Sequence, residues 1–138
     1  MFNTTTRITR RMRQFLMGFA LVATSATIHA QSNFPNKPIR LIVPFAPGGV
    51  TDTSGRLIAD QLSRRIGQTI FVENKPGASG NIGAAMVANS EPDGYTLVLG
   101  FDGTIAINPH IFASMPLDTI KDLTPIGKIG ETILILVA

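Results

Sequence analysis

Ile39-Arg40-Leu41-Ile42-Val43-Pro44 runs directly into Phe45-Ala46-Pro47-Gly48-Gly49-Val50-Thr51-Asp52, and the rest of the chain is organised around that junction. The first six residues are largely apolar, β-branched in part, and stopped by a proline. That pattern predicts a short strand covered on both faces, as in a parallel sheet. Pro47 and the Gly48-Gly49 pair then set a sharp turn. A helix is expected over residues 52–66, capped by Thr51 or Asp52. Ile58, Leu62 and Ile66, with Leu57 beside them, form a stripe at i+4 spacing that predicts the sheet-facing side of this helix. Arg64 and Arg65 complement the dipole of its last turn, and Gly67 ends it.

Downstream the alternation repeats. Residues 69–73 (TIFVE) read as a second strand, and 74–80 (NKPGASG) as a glycine-rich loop feeding an alanine-rich helix over 81–89. Pro92-Asp93-Gly94 is a turn, and 96–101 (TLVLGF) a third strand. Asn108-Pro109 reads as an N-cap with proline at the first helical position, opening a short helix through Phe112. A polar turn is expected over 118–122, and strands over 125–129 and 133–137. Alternating strands and helices predict an α/β fold, a doubly wound, mainly parallel sheet.

Upstream lies a leader. Arg7, Arg10, Arg11 and Arg13 fall in the first 13 residues, which contain no acid, and 15–23 (FLMGFALVA) is an apolar run. A basic start, a short apolar segment and a small residue at Ala30 are the parts of a cleavable signal peptide over residues 1–30. The run is about half the roughly 20 residues that spanning a bilayer requires. The whole chain has a net charge of +3 and a pI near 9.8. Four of its twelve basic residues lie in the leader, however, leaving eight against nine acids. The basic pI therefore implies no nucleic-acid partner. With no cysteine in the chain, disulfides, thiolate metal ligands and thiol nucleophiles are excluded.

In open α/β sheets ligands bind where strands end and helices begin. Two such junctions, 45–52 and 74–81, are glycine-rich and lead into helices, whose free N–H groups and positive dipole ends favour an anion. The loops offer no cation beyond Lys75. An anion would be held by backbone donors with Thr51, Ser79 and Asn81, and residues 101–104 (FDGT) converge on the same sheet edge. Asp52 has two readings, a helix cap or a ligand-facing acid. Glycines at such turns can equally be turn formers alone. Neither a dinucleotide fingerprint nor a phosphate loop is present. His110 is the one histidine after the leader, so a histidine-based metal site or catalytic triad is not expected, and neither are an enzyme activity or a cofactor.

Residues 44–52 (PFAPGGVTD), 72–83 (VENKPGASGNIG) and 92–97 (PDGYTL), with Ile107-Asn108-Pro109, closely resemble the Bug family, the substrate-binding proteins of tripartite tricarboxylate transporters. The resemblance covers residues 34–138. It implies a type II periplasmic-binding-protein-like fold, in which two α/β domains close on a ligand without catalysis. Residues 31–138 would supply part of the first domain, with the second absent. It implies a periplasmic, monomeric protein that captures a small organic carboxylate and delivers it to the transporter's membrane subunits. By resemblance the carboxylate would meet Phe45, Gly48, Gly49, Thr51, Asp52, Ser79, Gly80 and Asn81, with Gly103 and Thr104 nearby. A ligand-presenting module for a membrane sensor, or a non-functional truncated fragment, are the alternatives. Gly55 stands where the family commonly has alanine, a change expected to weaken the first helix turn by up to about 1 kcal/mol.

Overall fold

Strand β1 (Ile39–Val43) lies at the centre of a three-stranded parallel sheet. The structure, a computed structural model, describes residues 34–131. The expected signal peptide and the strand expected over 133–137 lie outside the described residues. After β1 come helix α1 (Val50–Ile66), strand β2 (Ile70–Asn74), helix α2 (Asn81–Ala88), strand β3 (Thr96–Val98) and the four-residue helix α3 (Asn108–Ile111). A 3₁₀ turn (Ala78–Gly80) precedes α2, and a π turn (Gly103–Ile107) precedes α3.

The strand order is β2-β1-β3, with Ile39 opposite Ile70 and Arg40 opposite Thr96. Flanked on both sides, β1 is the apolar element the sequence predicts, and Ile42 and Val43 are wholly buried. Its alternate residues serve two layers. Ile39, Leu41 and Val43 pack with Ala59 of α1, Ile70 and Leu99 in one core cluster. On the opposite face, Pro44 lies against Gly83 of α2. Helices on both faces of a parallel sheet make the fold doubly wound. The order places the topological switch between β1 and β3, where ligands of such sheets bind.

The structure corrects several expectations. Helix α1 begins at Val50, with Gly49 as N-cap and no side-chain cap; neither Thr51 nor Asp52 caps it. Its buried residues are Asp52, Gly55 and Ala59, not the Ile58-Leu62-Ile66 stripe, of which Leu62 is 41% exposed and Ile66 38%. Close approach is the reason. A Cβ on Gly55 would stand 2.9 Å from Val43 Cγ2 and 3.3 Å from Leu99 Cδ2. Small residues let the helix descend onto the sheet, and larger apolar ones are displaced to its flanks. The glycine that local propensity penalises is the one this packing distance needs.

The third strand is shorter than expected. Its ladder continues through the Leu99 N–H, which donates to the Ile42 carbonyl at 2.9 Å, before Gly100 leads the chain away. Residues 125–129 form no strand, and Ile126 is 81% exposed. A strand exists through the ladder it joins, and no strand pairs with this segment among the described residues. The predicted turns are present: Gly94 has φ of +80°, and Asp118 accepts the backbone N–H groups of Ile120 and Lys121.

At the N-terminal edge of the sheet, Lys37 pairs with Asp93 at 2.9 Å and lies 4.3 Å from the centre of the Tyr95 ring. The Tyr95 hydroxyl donates to Asn36 at 2.8 Å. These contacts fasten the entering arm to the start of β3.

Candidate functional site

Parallel strands deliver their following loops to one edge, and here the three loops touch one another. The rings of Phe45, after β1, and Phe101, after β3, meet edge to face at 5.7 Å. Asn74, at the end of β2, donates from Nδ2 to the Phe45 carbonyl at 3.0 Å and to Asp52 Oδ1 at 2.9 Å. Thr104 and Asn108 reach from the third loop region to the second, as described below.

The first loop is shaped by Gly48 and Asp52. Gly48 has φ of +85°, and its N–H donates to Asp52 Oδ2 at 2.9 Å. The first intrahelical bond of α1 runs from the Thr53 N–H to the Gly49 carbonyl. The N–H groups of Val50, Thr51 and Asp52 precede it and lie at the positive end of the helix dipole. Gly49 carries no side chain over them; a Cβ there would find nothing nearer than the Ala46 carbonyl at 3.8 Å.

Asp52 is buried, yet its carboxylate is fully engaged by the chain. Besides Gly48 and Asn74, it receives Arg56 Nε at 3.0 Å on Oδ2 and an Arg56 terminal nitrogen at 3.0 Å on Oδ1. The Arg56 bonds, followed by those from Gly48 and Asn74, lower its pKa to about 2. Arg56 also donates to Asn74 Oδ1 at 3.0 Å. Asp52 thus serves as a brace between the first loop, its own helix and the end of β2. Sequence reasoning did not single out Arg56 or Asn74. The i+4 spacing from Asp52 was the available sign for Arg56.

The second loop is wound the opposite way to ordinary backbone. Gly77, Ala78, Ser79 and Gly80 all have positive φ, of 132°, 45°, 53° and 91°. Left-handed backbone costs a residue with a Cβ roughly 1–2 kcal/mol, so Ala78 and Ser79 must be held there. The Ser79 carbonyl accepts from Thr104 Oγ1 at 2.9 Å and from Asn108 Nδ2 at 3.0 Å. Asn108 Nδ2 also donates to Asn81 Oδ1 at 2.7 Å, and Asn81 Nδ2 donates to Met115 Sδ at 3.3 Å. Asn81, Thr104 and Asn108 are all buried.

The Asn81 side chain is therefore spent inside the protein, and what it turns outward is the loop it steadies. Asn108, expected as an N-cap, points inward instead; the cap position of α3 is Ile107. A Cβ on Gly80 would stand 2.3 Å from Thr104 Oγ1, so only glycine fits. Ser79 itself is exposed, as are Ala46, Pro47, Gly48 and Gly49.

The expected site residues consequently gather at one edge in different capacities. Phe45, Gly48, Gly49, Thr51, Ser79 and Gly103 form or line the loops, whereas Asp52, Gly80, Asn81 and Thr104 lie beneath them. Lys75, the cation noted in the second loop, pairs with Glu73 at 2.7 Å. No group of three or more His, Cys, Asp or Glu side chains converges among the described residues. No helix among them is long and apolar enough to cross a membrane.

Residues 55–138 match the family described as the tripartite tricarboxylate transporter family receptor, TctC. The chain belongs to this family. Among the curated relatives of this TctC chain is the protein BugT of Bordetella pertussis, 36% identical over 131 residues, which cover 94% of the chain and 40% of BugT. Solved structures share its fold, two of them with a ligand named. MatC from Rhodopseudomonas palustris, with bound malate, is 41% identical with a TM-score of 0.65, over 67% of this chain and 31% of that one. Rpa4515 of R. palustris, with adipate, is 41% identical with a TM-score of 0.61, over 63% and 29%. The TctC chain spans between 28% and 40% of the length of the curated relatives it matches.

Proposed function

We propose that this chain supplies one wall of the ligand cleft of an extracytoplasmic solute-binding protein, and that the solute is a small organic carboxylate. The observation that carries the reading is the convergence of the uncapped start of α1 and the left-handed second loop on one edge of a parallel sheet. Unpaired helix N–H groups, with no side chain over them, suit a carboxylate oxygen. In this reading Phe45, Gly48, Gly49, Thr51, Ser79 and Gly103 form the receiving surface, with Asp52, Gly80, Asn81 and Thr104 fixing its shape. Binding through neutral donors needs no dedicated cation, in keeping with the pairing of Lys75 and Arg56 to acids of the chain. Malate in MatC and adipate in Rpa4515, both dicarboxylates, support a solute of that size.

The protein is exported by a cleavable signal peptide to the periplasm, acts as a monomer and hands its solute to the membrane subunits of a tripartite tricarboxylate transporter. A second α/β domain would close the cleft from the other side. No step of chemistry is assigned to it. The test is a thermal-shift and calorimetric screen of the full-length mature protein against a panel of carboxylates, sugars and cations. A ligand that binds the native state alone raises its melting temperature. At least one carboxylate should do so; stabilisation by sugars or cations alone would refute the assignment.

A further inference from the structure

A carboxylate buried beneath a surface meant to receive another carboxylate is a liability unless its charge is cancelled. Asp52 is in that position: it is 4% exposed, and its Oδ2 holds the Gly48 amide of the first loop at 2.9 Å. Its field reaches the start of α1, where the solute would lie. Its other partners on the loop and on β2, Gly48 and Asn74, are neutral, and the nearby Lys75 is committed to Glu73. The cation on Asp52 is Arg56, bonded through two nitrogens, each at 3.0 Å.

We propose that Arg56 is a specificity-determining residue of the carboxylate site, acting through Asp52: it neutralises the buried acid so that the first loop meets a negative solute as an uncharged, donor-rich surface. The inference rests on the carboxylate-binding reading above. Arg56 is a positioning residue in this account, since it lies one helical turn below the loop and is spent on Asp52 and Asn74. The planar fork matters for geometry, because it bonds both oxygens of Asp52 while also meeting Asn74 Oδ1. The charge matters for the solute.

The experiment uses the full-length mature protein and calorimetric titration with malate and with adipate near neutral pH. Arg56→Gln leaves Asp52 uncompensated and should weaken carboxylate binding about ten- to hundredfold, the scale of one like charge at an effective dielectric near 20. Asp52→Asn introduced into Arg56→Gln removes the offending charge and should recover most of that loss. A purely structural role for the pair predicts the opposite, a double variant no better than the single. Arg56→Lys, which keeps the charge on a less rigid stem, should retain affinity within several-fold and serves if the glutamine variants do not fold.

Arg56→Gln binding as tightly as the wild type would overturn the proposal, and so would a double variant without recovery or Arg56→Lys as weak as Arg56→Gln. If the wild-type protein binds no carboxylate of the panel, the broader functional reading fails instead.

Discussion

Asn108 donates from Nδ2 to the carbonyl oxygen of Ser79, 29 residues earlier in the chain, at 3.0 Å. Through this bond the third loop region dictates the backbone of the second. Neither residue can be understood from its own neighbours: Ser79 sits at an unfavourable φ, and Asn108 turns away from the helix end that its sequence context assigns it. Asn108→Ala removes two donated bonds and strands Asn81 Oδ1 in a buried site. Urea denaturation should show a loss of about 2 kcal/mol, the scale of an unsatisfied buried polar group. A change below about 0.5 kcal/mol would mean that water replaces the amide.

Gly80→Ala places a Cβ where Thr104 Oγ1 already stands and forces an L side chain to φ of +91°. The substitution should cost about 2 kcal/mol or more, since strain and overlap act together. Thr104→Ala added to it removes the overlap but not the strain. The double variant should therefore lose less stability than the two single losses combined, and full additivity would contradict the contact.

At Gly49 stability and function should move in opposite directions. An aspartate there finds open space and an ordinary backbone, and its carboxylate can cap the N–H groups of α1. Gly49→Asp should raise stability by several tenths of a kcal/mol to about 1 kcal/mol while lowering carboxylate affinity at least roughly tenfold. A variant that gains stability and still binds normally would show that these amides do not receive the solute.

Acid should expose the brace. Asp52 has a folded pKa of about 2 against an ordinary value of 3.8. A depressed value means that its contribution is complete above the unfolded pKa and disappears as pH falls from about 4 towards 2. Glu73, bonded by Lys75, Asp93, bonded by the Tyr95 N–H and Lys37, and Asp118, bonded by Lys121 and backbone N–H groups, are also held below their ordinary values and add to the same decline. Asp52→Asn should flatten the wild-type loss of stability across that window, measured as urea midpoints at stepped pH. Parallel curves for the two proteins would discount the role of Asp52.

Local pattern carried the fold a long way. The alternation of apolar runs with capped or glycine-terminated helices announced the parallel sheet, and the two glycine-rich loops marked the edge where a site could form. The face that α1 presents was misread because hydrophobic periodicity counts large side chains, whereas close packing against Val43 and Leu99 selects small ones. The strand expected over 125–129 failed for a related reason, since apolar composition cannot supply a pairing partner. Asn74 and the inward role of Asn108 escaped notice because each acts across the tertiary structure, on groups 22 to 29 residues away. Period and propensity are blind to such reach.

The fastening of Tyr95 at the N-terminal edge of the sheet has an optical consequence. It is the single tyrosine of these 138 residues, which include no tryptophan. Ultraviolet emission from this portion therefore originates at the end of the sheet opposite the loops, under the Lys37 ammonium. Its intensity should follow the melting of β3 and stay constant while the loops fill, which makes it an internal reference against which a fluorophore placed near Pro47 can be read.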